Sequence, residues 1–549
     1  MVVVKIMNRS RNCKYVDEYR KKVEMGIIKV NKDRFALFDY LDLLDSKEDN
    51  YFDMQIIEDY ISITEAYFFP LLDWQKFFAS YFLGYRQSDG ILRFNEFLLL
   101  MGRGGGKSGF GASLAFFLTS KKNGIDKYGI DFIATSEDQA KIMYEEIYDM
   151  LNNWRPTMKK SFDWTKTAIV NKATKSKIRY RTSNARTKDG GRQGAVFFDE
   201  VHGFSSYDSI KVFRSGLNKV ADNRTLYLTT NGDIRDSVLD DMIEMSELVL
   251  KEYNPADKFF PFICRLDDEE QVKDFDNWEM ANPSITVFPI LKDGMITEYN
   301  KGLKHSETMY EFMTKRMNMP FKNALNEVTS WENIKRASRE LPDLKGKNAI
   351  GGIDFASFKD FCAVGLLFKE NDQYYYITHG FITKQAIFEQ GIKAPLDTWA
   401  KDGLITIVDD TSISAQHTLN WFVEMSKDYN VGVIACDSYR FDVLKEIYSE
   451  SPFELKCVRS GYITHNKLAP LIEDVFDRDL ISYGDNPFMR WNVNNVYVDV
   501  DAKGNKSYKK KEYKTRKTDA FMAMIHAFAY RDELPVAAPI LNIDWLDDL

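Results

Sequence analysis

The sequence predicts an α/β protein built as two domains in tandem, and three observations carry that prediction. Short apolar runs recur without strict alternation and are separated by helical stretches, the pattern of parallel sheets covered on both faces. The first of these runs leads straight into a glycine-rich turn closed by Lys107-Ser108. A second set of runs, beginning near residue 349, ends in aspartate. At 549 residues the chain also exceeds what one hydrophobic core organises.

The first run and its turn, Phe97-Leu98-Leu99-Leu100-Met101-Gly102-Arg103-Gly104-Gly105-Gly106-Lys107-Ser108, read as strand, loop and helix entry. Such a loop turns backbone N–H groups toward an anion. Lys107 then reaches the β- and γ-phosphates of ATP, and the Ser108 hydroxyl holds Mg²⁺. The general pattern opens with glycine where this chain has Met101. Further runs at Asp131–Ala134, Ala195–Phe198 and Leu226–Leu228 complete a parallel sheet, whose ligands bind at the carboxyl ends of the strands. The third run ends in Asp199-Glu200, roughly ninety residues after the loop. Asp199 there suits the Mg²⁺ shell, and Glu200 suits activation of the attacking water. Thr229-Thr230-Asn231-Gly232, after the fourth run, places small polar groups where they can sense the γ-phosphate. Upstream, Gln75 follows Trp74 in an amphipathic stretch, where its amide can read the adenine edge.

Beyond about residue 251 the strand pattern fades into charged helical sequence, expected to form a lid or connector over 251–321. Residues 322–347 are polar and broken, as a linker would be. Ala349-Ile350-Gly351-Gly352-Ile353-Asp354 then opens a new strand, followed by β-rich runs at Ala363–Phe368 and Tyr374–Thr378. Val433-Ile434-Ala435-Cys436-Asp437 repeats the apolar run ending in Asp, and Asp519 begins a helix of small and apolar residues. Two carboxylates at strand ends and a third on a late helix are what a ribonuclease H-like site needs. Two Mg²⁺ or Mn²⁺ ions on oxygen ligands there serve phosphodiester cleavage. Asp360 is a candidate accessory ligand, and Asp409 and Asp410 compete with Asp437 for the second position.

Composition narrows the classes. No apolar run approaches the roughly 18 residues of a membrane span, and the start, Met1-Val2-Val3-Val4-Lys5, is too soon charged for a secretory signal. Five scattered cysteines and six scattered histidines offer no zinc or disulfide spacing, so metals are expected on carboxylates. The net charge of −8 disfavours whole-surface nucleic-acid binding, but Lys503 to Lys517 holds eight basic residues against Glu512 alone. A plain basic loop accounts for that run equally well.

Trp74-Gln75, Arg103 four residues before Lys107, Thr135-Ser136-Glu137-Asp138-Gln139-Ala140, Asp199-Glu200 and Thr229–Gly232 fall in an order that resembles the large terminase subunits of tailed bacteriophages. Asp354, Asp437 and Arg516-Lys517-Thr518-Asp519 resemble the nuclease half of the same family. So do Asn486-Pro487 and the stretch from Trp491-Asn492 to Gly504-Asn505. Trp278–Pro283 and Thr314–Asn318 resemble the segment linking the two halves. The resemblance spans about residues 70–530. It implies a P-loop NTPase domain (core 61–250) followed by a ribonuclease H-like α/β nuclease domain (348–549), with residues 1–60 of unassigned role. It also implies ATP-driven translocation of double-stranded DNA into a procapsid and metal-dependent cutting of concatemers. Arg103 would contact phosphates, and Arg186 or Arg192 would act in a neighbouring subunit's site. The expected partners are a portal protein, a small terminase subunit and further copies in a ring. The expected setting is the host cytoplasm, docked on the procapsid and absent from the mature virion. A helicase-nuclease of DNA repair would need further helicase motifs after Gly232, and no convincing set follows. A structural ATPase homologue with a decayed nuclease site is opposed by the complete set of three aspartates.

Overall fold

A computed structural model describes residues 9–183, 192–204, 207–232, 237–319, 327–357, 361–392, 394–459, 461–501, 504–511 and 515–534. The chain forms two compact units, Met1–Phe321 and Lys322–Leu549.

The first unit is organised by six parallel strands: β1 (Glu96–Leu100), β2 (Gly129–Ala134), β3 (Lys177–Thr182), β4 (Gln193–Asp199), β5 (Arg224–Thr229) and β6 (Phe259–Ile263). Their order is β6-β1-β5-β4-β2-β3. All four runs read as strands from the sequence are strands, and all are almost wholly buried, which is why they lack polar alternation. Two short antiparallel strands, Phe162–Trp164 and Ile169–Asn171, extend the sheet beyond β3 and had no clear sequence signal. β6 lies inside the stretch expected to be a lid and pairs with β1, the strand that feeds the glycine-rich turn.

Residues before 61 pack onto this sheet as well. Helices α1 (Lys14–Glu24) and α2 (Lys32–Lys47) rest on α3 (Asp73–Leu83) and the end of β6. Tyr19 meets Phe77 with ring centroids 4.8 Å apart. Phe78 of α3 meets Phe97, Phe110, Phe260 and Phe262 at 5.6–5.8 Å, an aromatic plug joining helix and sheet. Asp33 grips Arg265 through both carboxylate oxygens, at 2.7 and 3.0 Å. The Lys29 N–H donates to Glu279. The N-terminal segment therefore braces the residues beyond β6. Those residues, with α4 (Pro289–Gly302) and α5 (Ser306–Lys315), close a small core of their own around Trp278, Tyr299 and Phe312.

The second unit holds β7 (Asn348–Asp354), β8 (Cys362–Glu370), β9 (Gln373–Thr383), β10 (Ile405–Val408), β11 (Asn430–Asp437) and β12 (Glu454–Val458), in the order β10-β9-β8-β7-β11-β12. β7, β8 and β9 form an antiparallel meander, and β11 joins β7 in parallel. Helix α6 (Asp519–Ala529) packs across β7, β8 and β11. A Cβ on Gly351 would run into Phe422, and one on Gly352 into Ala523, so both faces of the sheet are covered. Val328, Ile334 and Ala337, from the stretch expected to be a linker, are buried in this unit's core.

Candidate active sites

The glycine-rich turn follows β1 because Met101 still behaves as strand. Its N–H donates to the Thr229 carbonyl and its side chain is buried, so an apolar residue is required where the general pattern has glycine. Gly104 and Gly106 adopt φ of 83° and 87°, the left-handed region that turns the backbone without a Cβ penalty. Lys107 and Ser108 then open a helix that continues to Leu118. Lys107 is buried and its Nζ donates to the Met101 and Gly102 carbonyls at 2.8 and 3.3 Å. Burial pulls its pKa down, against the opposing pull of Glu200 and Asp199.

β5 lies between β1 and β4, so Thr229 stands in register with Leu100 on one side while Leu228 pairs with Asp199 on the other. The loop, the Asp-Glu pair and Thr229-Thr230-Asn231 thus share the carboxyl edge of one sheet. Asp199 is deeply buried, and burial together with the neighbouring Glu200 lifts its pKa to about 7. Burial pushes Glu200 up as well, but His202, Lys107 and Arg103 outweigh it and leave that carboxyl below its ordinary value. A buried and a half-buried carboxylate, adjacent and electrostatically coupled to a lysine, form a donor set that fits a hard divalent cation beside phosphates. Gln75 is buried, and its carbonyl oxygen accepts the Leu72 N–H at 2.9 Å, capping its own helix. Arg192 is exposed at the amino end of β4, seven residues and about 23 Å from Asp199. Arg186 and Asp360 lie outside the described residues.

The structure gives Trp74, Ala281, Lys315 and Arg316, which sequence reading named without a contact to the loop, a place against it, and adds Ser284, Glu298 and His202, which it passed over. Residues beyond β6 clasp the loop: Ala281 and Lys315 carbonyls accept the Gly102 and Arg103 N–H groups at 3.0 and 2.7 Å. Arg316 donates from Nη1 to the Arg103 carbonyl at 2.6 Å and holds Glu298 with Nε and Nη2. Trp74 Nε1 donates to Ser284 Oγ, which donates to the Gly105 carbonyl. His202 sits between Glu200 and Thr229. Its two-residue spacing from Glu200 was the one clue in the sequence.

In the second unit the β7–β11 register pairs Ile353 with Cys436, which brings the strand ends bearing Asp354 and Asp437 side by side. Asp519 opens α6 and is buried. Asp354 and Asp519 both act on the buried Cys362 thiol, whose pKa burial pushes well up, while Asp437 acts on His526. His526 Nδ1 lies 2.7 Å from the Ile353 carbonyl and pins α6 to the end of β7. Asp409 and Asp410 are exposed beyond β10, at the far edge of the sheet from β11, and Asp409 pairs with Lys384. Among the described residues, no three His, Cys, Asp or Glu side chains stand close enough to hold a metal ion. The three aspartates therefore share one end of the sheet without closing into a cluster. Their all-oxygen chemistry nevertheless fits hard divalent ions. Of the basic run before Asp519, Lys503 and Lys514 lie outside the described residues, and four of the others are compensated: Lys506 pairs with Glu473, Lys509 with Asp499, Lys510 with Asp519 and Lys511 with Glu327.

A phosphate-binding loop with a following Asp-Glu strand, and a separate sheet end carrying three aspartates, define an ATPase joined to a metal-dependent nuclease. The family model for the terminase large subunit ATPase domain matches residues 73–247, and that for the terminase large subunit endonuclease domain matches residues 254–533. The chain belongs to the terminase large subunit family. A terminase large subunit of Lactococcus phage SK1 is 24% identical over 493 residues, covering 84% of this chain and 88% of the relative. One from Enterobacteria phage HK97 is 22% identical over 256 residues, 45% of this chain and 50% of the relative. The crystal structure of the HK97 bacteriophage large terminase aligns over 86% of this chain and 98% of its own, at 17% identity and a TM-score of 0.48. The protein is thus an ATPase and a DNA endonuclease of viral genome packaging, driving DNA into a procapsid and cutting the concatemer. Its two domains use nucleotide and divalent metal. Among the described residues no helix is long and apolar enough to cross a membrane.

Proposed function

We propose that the two activities are carried by two separate sets of residues, one in each unit. In the first, the loop from Arg103 to Ser108 cradles the ATP phosphates, with Lys107 on the β- and γ-phosphates and Gln75 toward the adenine. Ser108 and Asp199 would hold Mg²⁺, which supplies neutralisation of developing phosphate charge. Glu200 takes a proton from the attacking water. The observation that carries this assignment is the shared sheet edge, on which Thr229 is in register with Leu100 and its neighbour Leu228 with Asp199.

In the second unit, Asp354, Asp437 and Asp519 would hold two Mg²⁺ or Mn²⁺ ions, whose chemistry is the clamping of attacking and leaving oxygens at a phosphodiester. Asp437 is preferred over Asp409 and Asp410 because β11 adjoins β7, whereas β10 does not. Double-stranded DNA is the cargo that ATP hydrolysis in the first unit moves and the substrate that the second unit cuts. A portal protein, a small subunit and further copies in a ring are the partners this role requires, with Arg186 or Arg192 reaching a neighbour's site. The setting that follows is the host cytoplasm, on the procapsid before the virion matures.

The decisive experiment is Lys107→Ala in the full chain, assayed for ATP hydrolysis and for cleavage of plasmid DNA with Mn²⁺. Hydrolysis is lost and cleavage persists. Equal loss of both in a protein that stays folded by circular dichroism would contradict two independent sites.

A further inference from the structure

We infer that His202 is a positioning residue that ties the Glu200 carboxylate to Thr229, so that the water-activating group and the end of β5 are held as one piece. The inference rests on the reading of Glu200 as the base.

Glu200 has φ 51° and ψ 52°, a left-handed backbone that a residue with a Cβ adopts at a cost. Something must hold it there. The next residues form a single 3-10 turn, Val201–Gly203, and that turn brings His202 back against β5. The His202 backbone N–H donates to Thr229 Oγ1 at 3.1 Å. Its Nδ1 stands 3.2 Å from the same oxygen and 3.1 Å from Glu200 Oε2. Thr229 Oγ1 spends its own proton on the Thr230 carbonyl at 2.7 Å. Both groups facing Nδ1 are therefore acceptors, and the imidazole must carry its proton on that nitrogen.

The imidazole is also wedged. A Cβ placed on Gly232 would fall 2.5 Å from His202 Cβ and 2.8 Å from Cδ2, so the turn that ends the Thr229–Gly232 segment lies directly on the ring. Glu200 Oε2 is shielded from solvent and receives no hydrogen bond, so its 3.1 Å approach to Nδ1 is an electrostatic contact, while the Nδ1 hydrogen bond itself goes to Thr229 Oγ1. Holding a base to within a fraction of an ångström has large kinetic value, since a misplacement of about 1 Å costs on the order of a hundredfold in rate. The arrangement also means that any shift of Thr229, Thr230 or Asn231 is felt at the base through one imidazole.

The test is steady-state ATPase kinetics and fluorescent-nucleotide binding on the full chain with His202→Ala, His202→Asn, Thr229→Val and the double variant His202→Ala/Thr229→Val. His202→Ala should lower kcat by about ten- to a hundredfold with KM within about twofold of wild type. His202→Asn, whose side-chain amide can stand where Nδ1–H stood, should recover most of that loss. The double variant should be no slower than the slower single variant, because both singles break the same link. Losses that multiply, a rise in KM at unchanged kcat, or failure of His202→Asn to exceed His202→Ala would each overturn the inference. Glu200→Gln separates the two layers of the argument. A Glu200→Gln protein hydrolysing at the wild-type rate removes the underlying role of Glu200, whereas an inactive, nucleotide-binding one leaves only His202 in question.

Discussion

Asn318 Oδ1 accepts the backbone N–H of Asn231 at 2.9 Å, and Asn318 Nδ2 in turn donates to the Cys264 carbonyl at 2.7 Å. The second residue after β5 and the residue that follows β6 are thereby joined by one side chain. Asn318 itself sits at φ 54°, a left-handed conformation that asparagine tolerates better than most residues. Together with Arg316 two residues earlier, it fastens the segment beyond β6 to both the phosphate loop and the Thr229–Asn231 end of β5.

Arg316 is the first place to probe that fastening. Its guanidinium grips Glu298 with two nitrogens and the Arg103 carbonyl with a third. Arg316→Ala should loosen the loop and weaken nucleotide binding by roughly tenfold, the scale of one charge-assisted hydrogen bond. Because no contact to Glu200 is lost, kcat should change far less. Isothermal titration with a non-hydrolysable nucleotide alongside steady-state kinetics checks both halves, and a fall in kcat at unchanged affinity would be the wrong result.

The nuclease aspartates make a sharper prediction. Asp354→Ala, Asp437→Ala and Asp519→Ala should each abolish Mn²⁺-supported cleavage of plasmid DNA while ATP hydrolysis continues, and EDTA should do the same to the unaltered chain. Asp409→Ala and Asp410→Ala should cleave at near the wild-type rate, since both are exposed at the opposite edge of the sheet. An inactive Asp410→Ala beside an active Asp437→Ala would move the second ligand.

Gly352 is required by packing. A Cβ there would fall 2.0 Å from the Ala523 carbonyl oxygen, so α6 cannot approach β7 with any larger residue present. Gly352→Ala should therefore destabilise the second unit by about 1–3 kcal/mol or more, the scale of overpacking a filled core. It should also displace the helix that carries Asp519. Thermal unfolding followed by circular dichroism, with nuclease activity measured in parallel, should show both falling together. A fully stable and active variant would mean that α6 sits elsewhere.

A fourth prediction concerns pH. His465 is buried, its Nδ1 accepts the Tyr508 N–H at 3.1 Å, and burial and the nearby His526 pull its pKa down to about 4. A histidine whose pKa is lower folded than unfolded binds its proton more readily in the unfolded chain. Its effect on stability is absent above the unfolded value of about 6.5 and grows as pH falls toward 4. The destabilisation reaches on the order of 3 kcal/mol. Urea unfolding monitored from pH 7.5 to 4.5 should show the loss, and His465→Gln should flatten it. An unchanged slope in that variant would assign the pH dependence elsewhere, with buried His526 the next group to examine.

The strands read from the sequence were legible because each is largely a run of buried apolar residues, whereas β3 and β12, half exposed and carrying charged side chains, gave no such signal. Asp199-Glu200, Asp354 and Asp437 stand where an apolar run ends at the carboxyl edge of a sheet, while Lys107-Ser108 and Asp519 open helices and were read from the glycine-rich turn and from the small apolar residues that follow. Glycines at 104 and 106 were readable for a local reason, since their positive φ belongs to the turn itself. What the sequence could not decide is what depends on residues far apart in the chain. β6 joins the first sheet through pairing with β1, some 160 residues earlier, and nothing local in Phe259–Ile263 names that partner. Asp437 was read from the sequence for the second position with Asp409 and Asp410 as competitors, and the proposal of Asp437 draws support from the strand order, in which β11 and not β10 adjoins β7. The lysines before Asp519 look like an open basic surface in sequence, and only folding brings Glu473, Asp499 and Glu327 against them. His202 makes the same point at the ATPase site: its role exists only because β5 places Thr229 beside it, a contact across 27 residues that hydrogen-bond geometry settles and local propensity does not.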